Sequence, residues 1–191
     1  MPTPIQQRRE RERAQRQQLI VATARELAET EGWDAVTIRR LADSIEYSQP
    51  VLYSHFADKG AIIDAVALQG FAELVTVLRS AGTGRSGRKK LDALAKAYLD
   101  FADEQPALYE AMFTLASDLP FGTPEAPSSL REGYEELRTA FAAHADGRDV
   151  DVLTEVGWSA LHGLATLTRA RRLRPDLRDQ RLPLLLGLLR G

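Results

Sequence analysis

Two groups of residues in this sequence have types and spacings that could do chemistry. Glu155, Ser159 and His162 are four and three residues apart in a segment of helical periodicity, which would set a carboxylate, a hydroxyl and an imidazole on one helix face. A serine triad needs groups converging from different elements beside oxyanion donors, and three side chains on one rigid helix diverge, so the group predicts no enzyme. The only histidines are His55, His144 and His162, there is no cysteine, and no glycine-rich phosphate loop occurs, so neither a metal site nor another cofactor is expected. The second group is Gln49, Pro50, Val51, Tyr53 and His55, and its chemistry is recognition. An amide at Gln49 can pair bidentately with adenine, Pro50 and Val51 offer apolar contact to thymine methyls, and Tyr53 and His55 can donate to phosphates.

Reading bases requires elements that hold those side chains in a major groove, and the surrounding pattern supplies them. Ile20, Ala24, Leu27 and Ala28 recur at helical spacing, so a first helix is expected over Arg13 to Glu31 with Gly32 as its stop. Thr37 caps a short second helix, Ile38 to Ile45, whose inward stripe is Ile38, Leu41, Ala42 and Ile45. After Glu46 and Tyr47, Ser48 caps a third helix, Gln49 to Phe56, with Pro50 in its first turn. Leu52 and Phe56 then point inward with Leu41 and Trp33, while Gln49 and Tyr53 share another face. Two short helices on a tight turn, braced by a longer one, are a helix-turn-helix. Asp58 caps a fourth helix to about Arg79, and Lys59 at its head can reach a flanking phosphate. The competing reading is that Tyr53 and His55 simply pack as aromatics on the first helix.

These residues resemble the TetR family of bacterial repressors over roughly residues 15–62. The matching segments are Gly32-Trp33, Val36-Thr37-Ile38-Arg39-Arg40-Leu41-Ala42, Ser48-Gln49-Pro50-Val51-Leu52-Tyr53-Ser54-His55-Phe56 and Asp58-Lys59. The resemblance implies that Thr37, Tyr53, His55 and Lys59 hold phosphates, that Arg39, Gln49, Pro50 and Val51 read bases, and that Ser48 belongs to the same DNA-binding set. Ile45-Glu46-Tyr47 stands where the family commonly has Leu-Gly-Val, so the geometry of this turn is the point at which the chain departs from the pattern.

Beyond residue 60 the motifs thin out. A loop is expected over Ala81 to Arg88, and helices over Lys89 to Glu104 and Pro106 to Ser117. A Pro-rich loop follows over Asp118 to Ser129, and then helices from about Ser129 to His144 and Asp151 to Arg171 and a Leu-rich terminal helix. Trp158 and His162-Gly163 resemble the Trp-x-x-x-His-Gly subfamily of TetR C-terminal domains. With Tyr98, Phe101, Tyr109, Met112, Phe113 and Phe141, Trp158 and His162 could line a cavity for an apolar or amphipathic effector; equally, they could be core aromatics. Val156, Ala160, Gly163, Leu164 and Leu167 line one side of the penultimate helix, and Leu182, Leu185 and Leu188 belong to a last helix apolar on nearly every face. Such a helix needs cover that a two-fold homodimer interface provides, and a symmetric dimer suits a palindromic operator.

The expected fold is therefore all-α with about nine helices: a DNA-binding domain over residues 1–60, with a basic arm, and an effector-binding and dimerisation domain over 61–191. Residues 1–18 carry five arginines against two glutamates, although the whole chain has a net charge of −2, and that arm either lies on a phosphate backbone or is a solubilising tail. No signal peptide and no apolar run near the roughly 20 residues of a membrane span is read, and the absence of cysteine fits a cytoplasmic protein. The expected partners are double-stranded DNA, a second copy of the chain and a small-molecule effector, with no membrane. The alternative is a DNA-binding dimer with no effector, a constitutive repressor or nucleoid-type protein.

Overall fold

The computed structural model describes residues 3–116 and 119–190, which form helices and no strands. By its contacts the chain divides into two units, one running to Gly70 with Ala107–Leu119 added, the other made of Phe71–Pro106 and the chain from Pro120 onward.

The first unit begins with α1, Pro4–Glu31. This is nine residues longer at its start than the sequence suggested, and the helix replaces the expected arm. Thr3 and Gln6 form a capping box, each side chain bonding the other's backbone N–H, Pro4 supplies a preset first turn, and Arg8 pairs with Glu12 at 2.8 Å. Gln, Arg and Glu are good helix formers, so a segment without an apolar stripe still propagates the helix from the core outward. Gly32 ends it at φ 85°, its N–H returning to the Ala28 carbonyl. One 3₁₀ turn, Trp33–Ala35, leads to α2, Ile38–Ser44, capped as expected by Thr37, whose hydroxyl accepts from the Arg40 N–H.

The connection to α3, Gln49–Tyr53, turns on Glu46 at φ 56°. The glycine missing from the turn is thus replaced by a residue carrying the left-handed conformation at a steric cost. The third helix is shorter than the expected Gln49 to Phe56, although His55 and Phe56 still donate to the Leu52 carbonyl. Ser48 has cap backbone geometry but its side chain makes no capping bond, contrary to expectation. Ile20, Ala24, Trp33, Val36, Leu41 and Leu52 are buried, forming the small core; Phe56 is only half-buried.

Asp58 caps α4, Lys59–Gly82, through the Ala61 N–H. This helix overruns the expected end and shortens the following loop to 83–86, because α5, Gly87–Glu104, also starts early. By length and composition α4 could cross a membrane, with a mean hydropathy of 1.7. That corrects the expectation that no such apolar stretch exists, but half of the stretch is buried within the protein, as a core helix would be. α6, Pro106–Glu110, passes into a π-helical turn over Ala111–Leu115; the helix expected to reach Ser117 and the loop expected from Asp118 have those two positions outside the described residues.

In the second unit the rest of α4 and α5 join α7 (Ser128–Ala142), α8 (Val150–Arg169) and α9 (Arg178–Arg190). α7 and α8 approach closely because Gly157 lacks a side chain: a Cβ there would come within 2.2 Å of the Phe141 ring. α9 tolerates Pro183 inside it and buries Leu186 and Leu189.

Candidate nucleic-acid interface

The α2–turn–α3 segment carries most of the residues expected to contact DNA at exposed positions. Thr37, Arg39, Ser48, Gln49, Pro50 and Tyr53 are all exposed, Tyr53 by 54% in spite of its aromatic ring, and Val51 is half-buried beside them. Leu52 of the same short helix is fully buried, which fixes the roll of α3, while Gln49 and Tyr53, at i and i+4, stay exposed. A large exposed ring at 54% is the reverse of core packing on α1.

The two neighbouring arginines divide their tasks. Arg40 makes a two-pronged ion pair with Glu31 at 2.7 and 2.9 Å, tying the start of α2 to the end of α1 and holding the Glu31 carboxyl below its ordinary range. Arg39 has only a 3.9 Å contact with Asp43 and is largely exposed. His55 is half-buried, with Nδ1 enclosed and without a partner. Burial first, then the charges of Arg13 and Arg16 on α1, push its pKa down, so the imidazole is biased to the neutral form. Lys59, expected to point to a phosphate, donates instead to the Trp33 carbonyl at 2.6 Å. An ammonium has three donors, so this bond anchors Lys59 and leaves further donor capacity.

One linkage was not anticipated from sequence. The Glu29 carboxylate accepts from the backbone N–H groups of Ala107 and Leu108 at 3.1 and 2.9 Å, capping α6 from α1, and the Trp33 indole N–H donates to the Ala107 carbonyl at 2.8 Å. Gly70 on α4 faces the same segment: a Cβ there would lie 2.6 Å from Met112 Sδ and 2.9 Å from Leu108 Cδ1. An isolated glycine inside an apolar helix is the one sequence signal that pointed here, since it costs about 1 kcal/mol against alanine unless packing needs it.

The residues expected to line an effector cavity fall in both units. Tyr109 and Met112 are buried and Phe113 half-buried in the first, with the Tyr109 and Phe113 rings 4.7 Å apart. Tyr98, Phe101 and Phe141 are buried in the second, where the half-buried Trp158 donates its indole N–H to the Tyr98 hydroxyl at 3.1 Å and lies 6.4 Å from the His162 ring. Burial pushes the His162 pKa down. Of the residues expected at a dimer interface, Val156, Leu167 and Leu188 are exposed, while Ala160, Gly163, Leu164, Leu182 and Leu185 are half-buried. Gly163 and Gly187 face open space. Leu164 and Leu182 also line a cleft of about 50 Å³ between α5, α8 and α9, far below the roughly 300–1,000 Å³ of a ligand pocket.

Comparison with known proteins gives two family matches: residues 20–66 to the bacterial regulatory proteins of the tetR family, and residues 91–186 to the tetracyclin repressor-like C-terminal domain. An uncharacterized HTH-type transcriptional regulator of Mycobacterium tuberculosis is 28% identical over 151 residues, covering 78% of this chain and 67% of the relative. The HTH-type transcriptional regulator YobS of Bacillus subtilis is 34% identical over 102 residues, 53% of each protein, so the aligned region spans about half of that relative. Among solved structures, the TetR family transcriptional regulator PfmR of Thermus thermophilus superposes with a TM-score of 0.63 at 22% identity, over 90% of this chain and 97% of that one.

Proposed function

The chain belongs to the TetR family of transcriptional regulators, and from that premise we propose that it is a cytoplasmic homodimeric repressor which a small apolar or amphipathic ligand releases from a palindromic operator. The observation that carries the DNA reading is the exposed Gln49–Tyr53 face of α3 set against the buried Leu52. In this reading Gln49, Pro50, Val51 and Arg39 contact bases, and Thr37, Ser48, Tyr53, His55 and Lys59 contact backbone. The relatives are transcriptional regulators, and Glu155, Ser159 and His162 are given no catalytic role.

Dimerisation is supported by apolar surface that a monomer leaves in water: Val152 and Val156 on α8 and Leu184 and Leu188 on α9 are each more than half exposed. Two reading heads on a two-fold axis would meet half-sites about 34–36 Å apart, so a displacement of a few ångströms breaks simultaneous contact. An effector held among the aromatic residues around Trp158 and His162 would lower operator affinity by favouring the displaced arrangement. DNA must then lower effector affinity by the same factor, typically about 1–3 kcal/mol.

One observation favours a second reading, a repressor without effector: Tyr98, Phe101, Tyr109, Met112 and Phe141 are all essentially inaccessible. Gel shifts with the DNA flanking the protein's own gene test the first part, and absence of any shifted band would reject it. Thermal shift against a panel of apolar and amphipathic small molecules separates the readings. A ligand at a hundredfold excess over Kd stabilises by about 2.7 kcal/mol, and a panel without any stabiliser favours the constitutive form.

A further inference from the structure

The exposed first half of α1 offers a binding surface beyond the helix-turn-helix. From Pro4 to Leu19 no residue is buried, and Ile20 is the first wholly inside the core, so about 24 Å of helix extends from the three-helix unit. Along it Arg9, Arg13, Arg16 and Ile20 recur at i, i+4, i+7 and i+11, which is one line on the helix surface. That line ends at Ile20, which is wholly buried, so the three guanidinium groups continue the core-facing side of α1 beyond the packed unit. The charges of Arg13 and Arg16 act on His55, two residues beyond the end of α3. Arg8 is turned to another side and is paired with Glu12.

We propose that Arg9, Arg13 and Arg16 form a second, preformed DNA contact, lying on successive phosphates of the strand that borders the groove entered by α3. The dimensions agree. Seven residues of helix from Arg9 to Arg16 cover about 10.5 Å, more than the roughly 6.8 Å of duplex axis between the first and third of three successive phosphates at about 3.4 Å each, so each arginine can reach a separate phosphate. Capped by Thr3 and Gln6, the segment is already helical and needs no ordering on contact, unlike a coil arm. It carries no base-reading geometry, so it adds affinity and length of site to all sequences alike. The inference rests on the reading of α3 as the DNA-reading helix.

The test uses the full-length protein and a 30-bp duplex of mixed sequence, with affinity measured from 50 to 200 mM salt. The triple variant Arg9→Gln, Arg13→Gln, Arg16→Gln keeps good helix formers, and circular dichroism checks that helicity and melting are retained. Its slope of log K against log salt is expected to become shallower by about 2–3 per protomer, at roughly 0.9 per phosphate, whereas the triple Arg→Lys variant keeps the wild-type slope. A triple Gln variant with the wild-type slope overturns the proposal while leaving the α3 reading intact, provided Gln49→Ala still loses operator preference without a change in slope. A wild-type protein that binds no duplex at any salt overturns both.

Discussion

Removing the carboxylate that joins α1 to α6 tests whether that junction is structural. In Glu29→Ala the N–H groups of Ala107 and Leu108 lose their acceptor, and α6 loses the cap on its first turn. A helix cap is worth about 0.5–2 kcal/mol, and bonds to a charged acceptor sit toward the upper end. Glu29 is itself exposed, so water can replace part of the loss, and we expect about 1–2 kcal/mol. For a chain of this size that lowers Tm by roughly 2–8 °C. Trp33→Phe, which strips the buried Ala107 carbonyl of its donor, should cost about 1–3 kcal/mol. The two changes share α6, so the double variant should be less destabilised than the sum of the single ones. Hydrogen exchange locates the effect: the Ala107 and Leu108 amides should exchange faster in Glu29→Ala, while those of α8 stay unchanged. Wild-type exchange at both amides together with an unshifted Tm would refute the reasoning.

Gln49→Ala should cost about 1–3 kcal/mol of operator binding and relax sequence preference, whereas Lys59→Ala should weaken binding to all duplexes, flatten the salt slope by about one and lower Tm, since Trp33 loses its donor; gel shifts across salt read both. Glu46→Gly relieves a left-handed residue at φ 56° and should stabilise by about 0.5–1 kcal/mol in denaturant melts, with no gain if the turn has relaxed. Leu184→Glu with Leu188→Glu changes only exposed positions, so the fold should persist while light scattering reports monomers; an unchanged dimer would remove these residues from the interface. His55 takes up a proton less readily when folded than its ordinary value near 6.5, so stability is lost as pH falls below about 6.5 through the folded value. His55→Gln should therefore show a smaller drop from pH 7 to pH 5, and an equal drop would assign the loss to other groups.

What was legible in the sequence were the parts written in local pattern. Thr37 and Asp58 as caps, Gly32 as a stop and the burial of Leu41 and Leu52 all follow from spacings within one or two turns. The head of α1 was missed because it has no apolar stripe: its helix comes from propensity, a capping box and an i,i+4 ion pair, each weak alone. Glu29 could not be found, since its partners lie 78 and 79 residues away and nothing in an exposed glutamate near a helix end signals a distant backbone amide. The π-helical turn at Ala111–Leu115 has no sequence signature either. Gly70 and Gly157 are isolated glycines within helices, and which side chains they admit depends on tertiary approach.

The position of α6 changes how a regulator of this kind can communicate. By contacts α6 belongs with the reading motif, yet the chain enters it at Pro106 from the other unit and leaves toward that unit at Pro120, so it is tied covalently to one and packed in the other. On the reading side two of its backbone amides and one carbonyl are held from the end of α1. Glu29 and Trp33 hold Ala107 and Leu108, the Trp33 carbonyl holds Lys59 at the head of α4, and Glu31, two residues from Glu29, holds Arg40 in the first turn of α2. Hydrogen bonds are short-ranged and directional, so a shift of α6 by an ångström must be followed by Trp33 or break these bonds. In the proposed function, an effector that moved α6 would act on the recognition helix through the end of α1. A nonzero interaction energy between Glu29→Ala and effector binding, measured on operator affinity, is the expected result, and strict additivity would refute this route.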